Sequence, residues 1–152
     1  MIRVVFICSG NICRSPLAAG MATAMLKEEN IPAVVISAGT LNINGQPAAP
    51  NAVEAGQLIG IDISTHRSQG ISLPLMRMAD ALVVMAPKHE AFLLKLDPNL
   101  DERIVRLWEY GEHSETLLEI EDPVGQDLET FIVCRKRLTK CLRAWIPQLN
   151  QG

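Results

Sequence analysis

Aromatic residues are scarce. Three phenylalanines, two tryptophans and one tyrosine make up 4% of the 152 residues, while 48% are hydrophobic, so any core must be built mostly from aliphatic side chains. Excess positive charge is missing too. The formal net charge is -3, which gives no reason to expect nucleic-acid binding, since that normally needs a basic face. No apolar run approaches the roughly 18 residues of a membrane-spanning helix. The opening run MIRVVFICSG is too short for a signal peptide and ends in a glycine turn instead of a cleavage site. The default expectation is a cytoplasmic protein with no membrane span. Internal repeats, low-complexity tracts and linkers are also absent, so one domain over residues 1–152 is expected.

Cysteine is present but sparse: Cys8, Cys13, Cys134 and Cys141. A chain well supplied with core and lacking a secretory signal is expected to keep them reduced. Zinc is a poor fit, because the three histidines, His66, His89 and His113, are scattered along the chain. No metal and no cofactor are expected.

Apolar, β-branched runs at Ile2 to Ile7, Ala33 to Ser37, Ala81 to Met85 and Ile104 to Leu107 read as strands of a parallel sheet. Between them lie helical stretches at Leu17 to Asn30, Asn51 to Ile59 and Pro87 to Leu96. A long amphipathic helix closes the chain over Gln126 to Leu149, with Leu128, Ile132, Leu138, Leu142 and Ile146 on its apolar side. Gly39 to Pro50 and Asp62 to Ser72 read as loops, DPNLDE as a turn, and Glu109 to Pro123 as a polar, acidic loop. Alternation of strand and helix predicts an α/β fold of three layers, a parallel four-stranded sheet with helices on both faces. Such sheets bind ligands outside the carboxyl ends of their strands.

The segment CSGNICRSP, Cys8 to Pro16, lies at that place. A strand enters it and a helix leaves, with Ser15 expected as the N-cap and Pro16 at the first helical position. Gly10 and Asn11 are the residues best able to take positive φ. Successive N–H groups can then point inward as an anion nest, and the helix N-terminus adds its positive pole. Arg14 offers a bidentate fork for phosphate oxygens. The same field lowers a thiol from its usual value of about 8.5. Cys8 is therefore expected to be an ionised nucleophile beneath a bound phosphoryl group, with the Ser15 hydroxyl on its sulfur. This is neither a nucleotide P-loop, which needs a lysine, nor a redox C-x-x-C motif.

A phosphate ester needs a proton for its leaving oxygen. Asp122, in Asp122-Pro123 after the fourth strand, is the candidate acid. A plain turn or helix-start aspartate reads the same way, and neighbouring Glu121 is expected to face solvent. From the residues alone His66 is a loop residue, His89 and His113 lie at the surface, Cys13 is a small packed side chain, and Cys134 and Cys141 pack on the last helix.

The string CSGNICRSP resembles the pattern V-C-x-G-N-x-C-R-S-P of the low-molecular-weight protein tyrosine phosphatases of bacterial type, with Ile7 in place of the first valine. ISAGT (Ile36 to Thr40), GIDISTHRSQ (Gly60 to Gln69), ADALVVMA (Ala79 to Ala86) and EDPVG (Glu121 to Gly125) extend the likeness over essentially the whole chain. The resemblance implies a flavodoxin-like sheet of order 2-1-3-4, and Cys8, Arg14 and Asp122 as catalytic residues. It implies a phosphate-binding loop of Ser9, Gly10, Asn11, Ile12, Cys13, Arg14 and Ser15, supported by Asn11, Ser15, Ser37 and His66. Cys13 becomes a partner for reversible oxidation of Cys8.

The substrate implied is a phosphorylated protein, the target of a tyrosine kinase, with phosphate or another oxyanion as ligand. Eukaryotic members carry aromatics after Asp-Pro, where this chain has Val124 and Gly125; Trp108 and Tyr110 are alternative sources of aromatic surface. Relatives acting on phosphoarginine often carry Phe-Gly there and threonine at the position of Ile12; isoleucine matches the tyrosine-directed members. Phosphotyrosine is the first reading. Phosphoarginine, arsenate reduction using further resolving cysteines, and a non-catalytic anion-binding module are the alternatives.

Overall fold

A computed structural model describes residues 1–111 and 118–150. His113 lies outside the described residues.

Four strands form one all-parallel sheet: β1 (Ile2–Cys8), β2 (Ala33–Gly39), β3 (Ala81–Val84) and β4 (Ile104–Arg106), in the order β2-β1-β3-β4. That is the expected topology. β1 is central, and its Val4 to Cys8 are buried because both sheet faces are covered. β2 departs from the fully buried strand expected. It is an edge strand, and Val34 is 46% exposed. Register aligns the carboxyl ends: Cys8 faces Gly39 across β2, and Ile7 faces Val84 across β3. The residues that leave these three strands therefore emerge at one edge of the sheet.

The helices are α1 (Arg14–Glu28), α2 (Pro50–Gln57), α3 (Leu73–Met78), α4 (Pro87–Leu96) and α5 (Leu128–Trp145). α1 packs on β1, β2 and α5, and α5 also packs on α2. Leu17, Met21, Leu138, Leu142 and Trp145 are buried there, and Trp145 meets Phe6 edge-on at 6.3 Å between ring centroids. This contact spends two of the few aromatics on fixing the last helix to the central strand.

Besides shifts of one to three residues at other element ends, several segments differ from the sequence reading. α3 falls next to a segment read as a loop; it is six residues long, and the Ser72 hydroxyl caps it by accepting from Leu75 N. The DPNLDE turn is a 3-10 helix, Pro98–Arg103, begun by the Asp97 carboxylate accepting from Asn99 N. α5 is shorter than Gln126 to Leu149. Asp127 caps its start, accepting from Thr130 N at 3.0 Å, and a 3-10 turn, Ile146–Asn150, follows its end. Among the described residues, no helix is long and apolar enough to cross a membrane.

Candidate active site

β1 ends at Cys8 and α1 begins at Arg14, so the intervening loop reverses direction over very few residues. Asn11 makes this possible with φ 59, in the left-handed region. Gly10, also expected to take positive φ, does not; one left-handed residue suffices to turn the chain. A third residue makes room for the loop from outside: a Cβ on Gly39 would lie 2.6 Å from Ser9 O and 3.0 Å from Asn11 N. The loop is tied down by Thr40 N donating to Cys8 O, Leu41 N to Ser9 O and Ala49 N to Ile12 O, at 2.8–3.0 Å.

The head of α1 differs from the expected cap. Cys13 is the N-cap, without a side-chain cap bond, and Ser15 and Pro16 lie inside the first turn. Ser15 is withdrawn from capping because its hydroxyl is committed elsewhere. Its Oγ accepts from Asn11 Nδ2 at 2.7 Å and lies 2.9 Å from Cys8 Sγ. With one lone pair taken, the hydroxyl proton is free to point at the sulfur.

Asn11 is the hub. Its Nδ2 also donates to Ser37 Oγ at 2.9 Å, its Oδ1 accepts from Gln69 N at 2.9 Å, and its carbonyl accepts from His66 Nε2 at 2.6 Å. Asn11 is fully buried, Ser37 is buried and His66 half-buried. Desolvation lowers the His66 pKa, opposed by its bond to the Asn11 carbonyl. The structure thus brings Ser37 and His66 together behind the loop.

Arg14 is 1% exposed. Nη1 donates to Ile120 O at 2.8 Å, and Nη2 donates to Ser9 Oγ at 3.4 Å and lies 3.3 Å from Asp122 Oδ2. Its Nε is buried and has no partner among the described residues. A buried, charged N–H without an acceptor is costly, and an oxyanion in the loop would satisfy it. Asp122 reaches Arg14 because Ile120 N donates to Met85 O at 2.7 Å, pinning the acidic loop to the end of β3. Asp122 Oδ1 accepts from Val124 N at 3.1 Å, and the side chain is 32% exposed. Glu121 is exposed, as expected.

The buried Cys13 thiol is pushed up to about 12, first by burial and then by Asp122 and Cys8. Cys134 is also pushed up to about 12 by burial, and Cys141 is raised by burial. One of the two aromatic expectations changes. Trp108 is 6% exposed and belongs to the core, and Tyr110 is half-buried. Val124 is 50% exposed beside Asp122, and Ile12 is half-buried.

His89 overturns its reading as a surface residue. It is 0% exposed, on the first turn of α4, with Nε2 3.0 Å from Ser9 Oγ. Burial first, then Arg14, push its pKa down to about 3, so the ring is neutral. The sequence did carry a signal. His89 lies four residues before Leu93, on one helix face, and Leu93 is fully buried.

The family model for low molecular weight phosphotyrosine protein phosphatase matches residues 3–152. The probable low molecular weight protein-tyrosine-phosphatase EpsP of Ralstonia nicotianae is 35% identical over 152 residues, covering 99% of this chain and 98% of that protein. The protein-arginine-phosphatase of Bacillus subtilis is 29% identical over 150 residues, covering 97% of each. Among solved structures, the YwlE arginine phosphatase with a cysteine-to-serine mutation and a phosphorylated active-site serine superposes with a TM-score of 0.91 at 26% identity, covering 99% of this chain and 97% of that one. On a match that takes in nearly every residue from β1 to the final turn, the chain belongs to the low molecular weight phosphotyrosine protein phosphatase family.

Proposed function

We propose that the protein hydrolyses phosphotyrosine in phosphoproteins through a phosphocysteine on Cys8. The observation that carries this is the convergence on one loop of a sulfur 2.9 Å from a hydroxyl, a buried guanidinium, and a carboxylate 3.3 Å from that guanidinium. In the first step the Cys8 thiolate attacks phosphorus and the bond to the leaving oxygen breaks, while Asp122 gives that oxygen its proton. Asp122, now a carboxylate, takes a proton from water, which attacks the phosphocysteine and releases Cys8 and inorganic phosphate. Arg14 and the loop N–H groups from Ser9 to Ser15 hold the equatorial oxygens; the work is positioning and charge stabilisation. Ser15 donates to the sulfur as it leaves. Asn11, Ser37 and His66 keep the loop in shape.

The arginine phosphatase relative keeps a second reading in view, and Val124-Gly125 after Asp122-Pro123 places no aromatic slot there. Ile12 favours tyrosine, since a half-buried isoleucine offers methyl groups to a phenyl ring and no hydroxyl to a guanidinium. Arsenate reduction has less support, because Cys134 and Cys141, the further thiols it would need, stand on α5 and not after β3. The substrate belongs with a tyrosine kinase that phosphorylates it.

The test compares phosphotyrosine and phosphoarginine peptides as substrates. Hydrolysis of the tyrosine peptide, its loss in Cys8→Ser, and a shift towards the arginine peptide in Ile12→Thr are expected. Preference of the wild-type enzyme for phosphoarginine would overturn the assignment.

A further inference from the structure

We propose that His89 is a positioning residue: acting through the Ser9 hydroxyl, it fixes the Arg14 guanidinium and turns the Ser9 proton towards the bound anion. The inference rests on the phosphate-binding role given to the Cys8–Ser15 loop.

The argument starts from the His89 ring. It is fully buried, and its Nδ1 has no partner among the described residues, whereas Nε2 lies 3.0 Å from Ser9 Oγ. A neutral imidazole carries one N–H. On Nδ1 that hydrogen would be a buried donor with nothing to accept it, while Nε2 would ask Ser9 for a proton. On Nε2 it is satisfied, and only a lone pair is left bare. The proton therefore sits on Nε2 and is donated to Ser9 Oγ.

Arg14 Nη2 donates to the same oxygen at 3.4 Å. Neither His89 Nε2–H nor a guanidinium can accept. Both lone pairs of Ser9 Oγ are thus engaged by donors, and its own proton must be given away. The acceptor that the reaction brings is the phosphoryl group seated on Arg14. His89 also acts on the guanidinium itself. Arg14 Nη2 sits between Ser9 Oγ and Asp122 Oδ2, so a Ser9 hydroxyl anchored from α4 opposes the pull of the acid. His89 is anchored in turn: its N–H donates to Ala86 O at 3.0 Å, and Ala86 follows Met85 directly at the end of β3.

A merely packed histidine makes different predictions. The variants are His89→Leu, His89→Gln, Ser9→Ala and Ser9→Ala/His89→Leu. Glutamine can place an N–H near the Nε2 position, and leucine cannot. The readouts are kcat and KM on p-nitrophenyl phosphate, and calorimetric affinity for inorganic phosphate.

His89→Leu is expected to lower kcat/KM on the order of 10- to 100-fold, the scale of a misplaced catalytic group, and to weaken phosphate binding. His89→Gln should restore both to within a few-fold. The double variant should be no worse than Ser9→Ala alone. Wild-type phosphate affinity in His89→Leu, glutamine no better than leucine, or a full His89→Leu loss persisting in the Ser9→Ala background would each overturn the proposal. Phosphate binding is measured without turnover, so a wild-type protein that fails to hydrolyse phosphotyrosine would refute the proposed function and leave this pair to be judged on affinity.

Discussion

Replacing Asn11 tests how the loop is held. Alanine there removes three side-chain hydrogen bonds, to Ser15 Oγ, Ser37 Oγ and Gln69 N, at 2.7–2.9 Å. Buried bonds of this kind contribute about 1 kcal/mol each, or roughly 3 kcal/mol together. The backbone remains at φ 59, where a side chain without a local polar partner adds roughly 1–2 kcal/mol of strain. Asn11→Ala should therefore lose about 4 kcal/mol, which for a chain of this size lowers Tm by about 12 °C. Asn11→Gly loses the same bonds without the strain. Its larger unfolded-state entropy takes back about 0.4–1 kcal/mol, so glycine should still be more stable than alanine by about 0.5–1 kcal/mol. Urea denaturation of the three proteins side by side measures both differences, and p-nitrophenyl phosphate kinetics measures the consequence. Both variants should lose kcat, because Ser15 loses the donor that turns its hydroxyl to Cys8. Alanine and glycine variants of equal stability, both within about 1 kcal/mol of wild type, would refute the idea that these side-chain bonds hold a strained turn.

Asp122→Ala should reduce kcat far more on phenyl phosphate, a poor leaving group, than on p-nitrophenyl phosphate; equal losses would contradict its role as acid. His89 and His66 both have pKa values below the usual 6.5, His89 at about 3. The unfolded chain therefore binds more protons than the folded one as pH falls below 6.5, so these two histidines make stability drop with acid across the window from 6.5 towards 3 and contribute no slope above it. Urea melts at pH 7.0, 6.0 and 5.0 should show that slope, and His89→Gln should reduce it; an unchanged slope would refute the assignment. Peroxide should inactivate the enzyme by converting the Cys8 thiolate to a sulfenic acid, which the Cys13 thiol then condenses to a disulfide with loss of water. Cys13→Ser should make recovery by dithiothreitol incomplete, and full recovery would remove Cys13 from that reaction.

What the sequence made legible was mostly local. β1, the loop and the start of α1 lie within a short stretch, and Cys8, Asn11, Arg14 and Ser15 could be given roles from their order alone. The parallel sheet followed from apolar runs that need cover on both faces. His66 and Ser37 needed the resemblance, since nothing near them in the chain says that they meet Asn11. His89 was missed because its partner Ser9 is 80 residues away and its neighbours Lys88 and Glu90 make α4 look solvated at its start. The expected N-cap failed for a related reason. A serine before proline at a helix start obeys the capping rule until chemistry claims it, and here Ser15 serves Cys8 and Asn11 instead. α3 escaped notice because six residues are too few to show a period.

The guanidinium of Arg14 joins two parts of the molecule that the chain keeps far apart, its own loop and the acidic segment. Nη1 holds the peptide of Ile120, which is itself tied to the end of β3; Nη2 meets Ser9 in the loop and Asp122 in the acidic segment; Nε has no partner among the described residues. A phosphoryl dianion that takes Nε and Nη2 in bidentate fashion must displace the Asp122 carboxylate from Nη2 while leaving the Ile120 bond intact. The loop therefore stays docked when the ion pair is lost. Asp122 would then be released from the cation and face the dianion, in reach of the leaving oxygen of the proposed reaction. In the proposed reaction, the resting ion pair and the acid role would be successive states of one carboxylate, exchanged by substrate arrival. Arg14→Lys is therefore expected to fail as a substitute. One ammonium is a point charge on a flexible stem; it cannot hold the Ile120 carbonyl, the Ser9 hydroxyl and two phosphoryl oxygens in fixed directions at once.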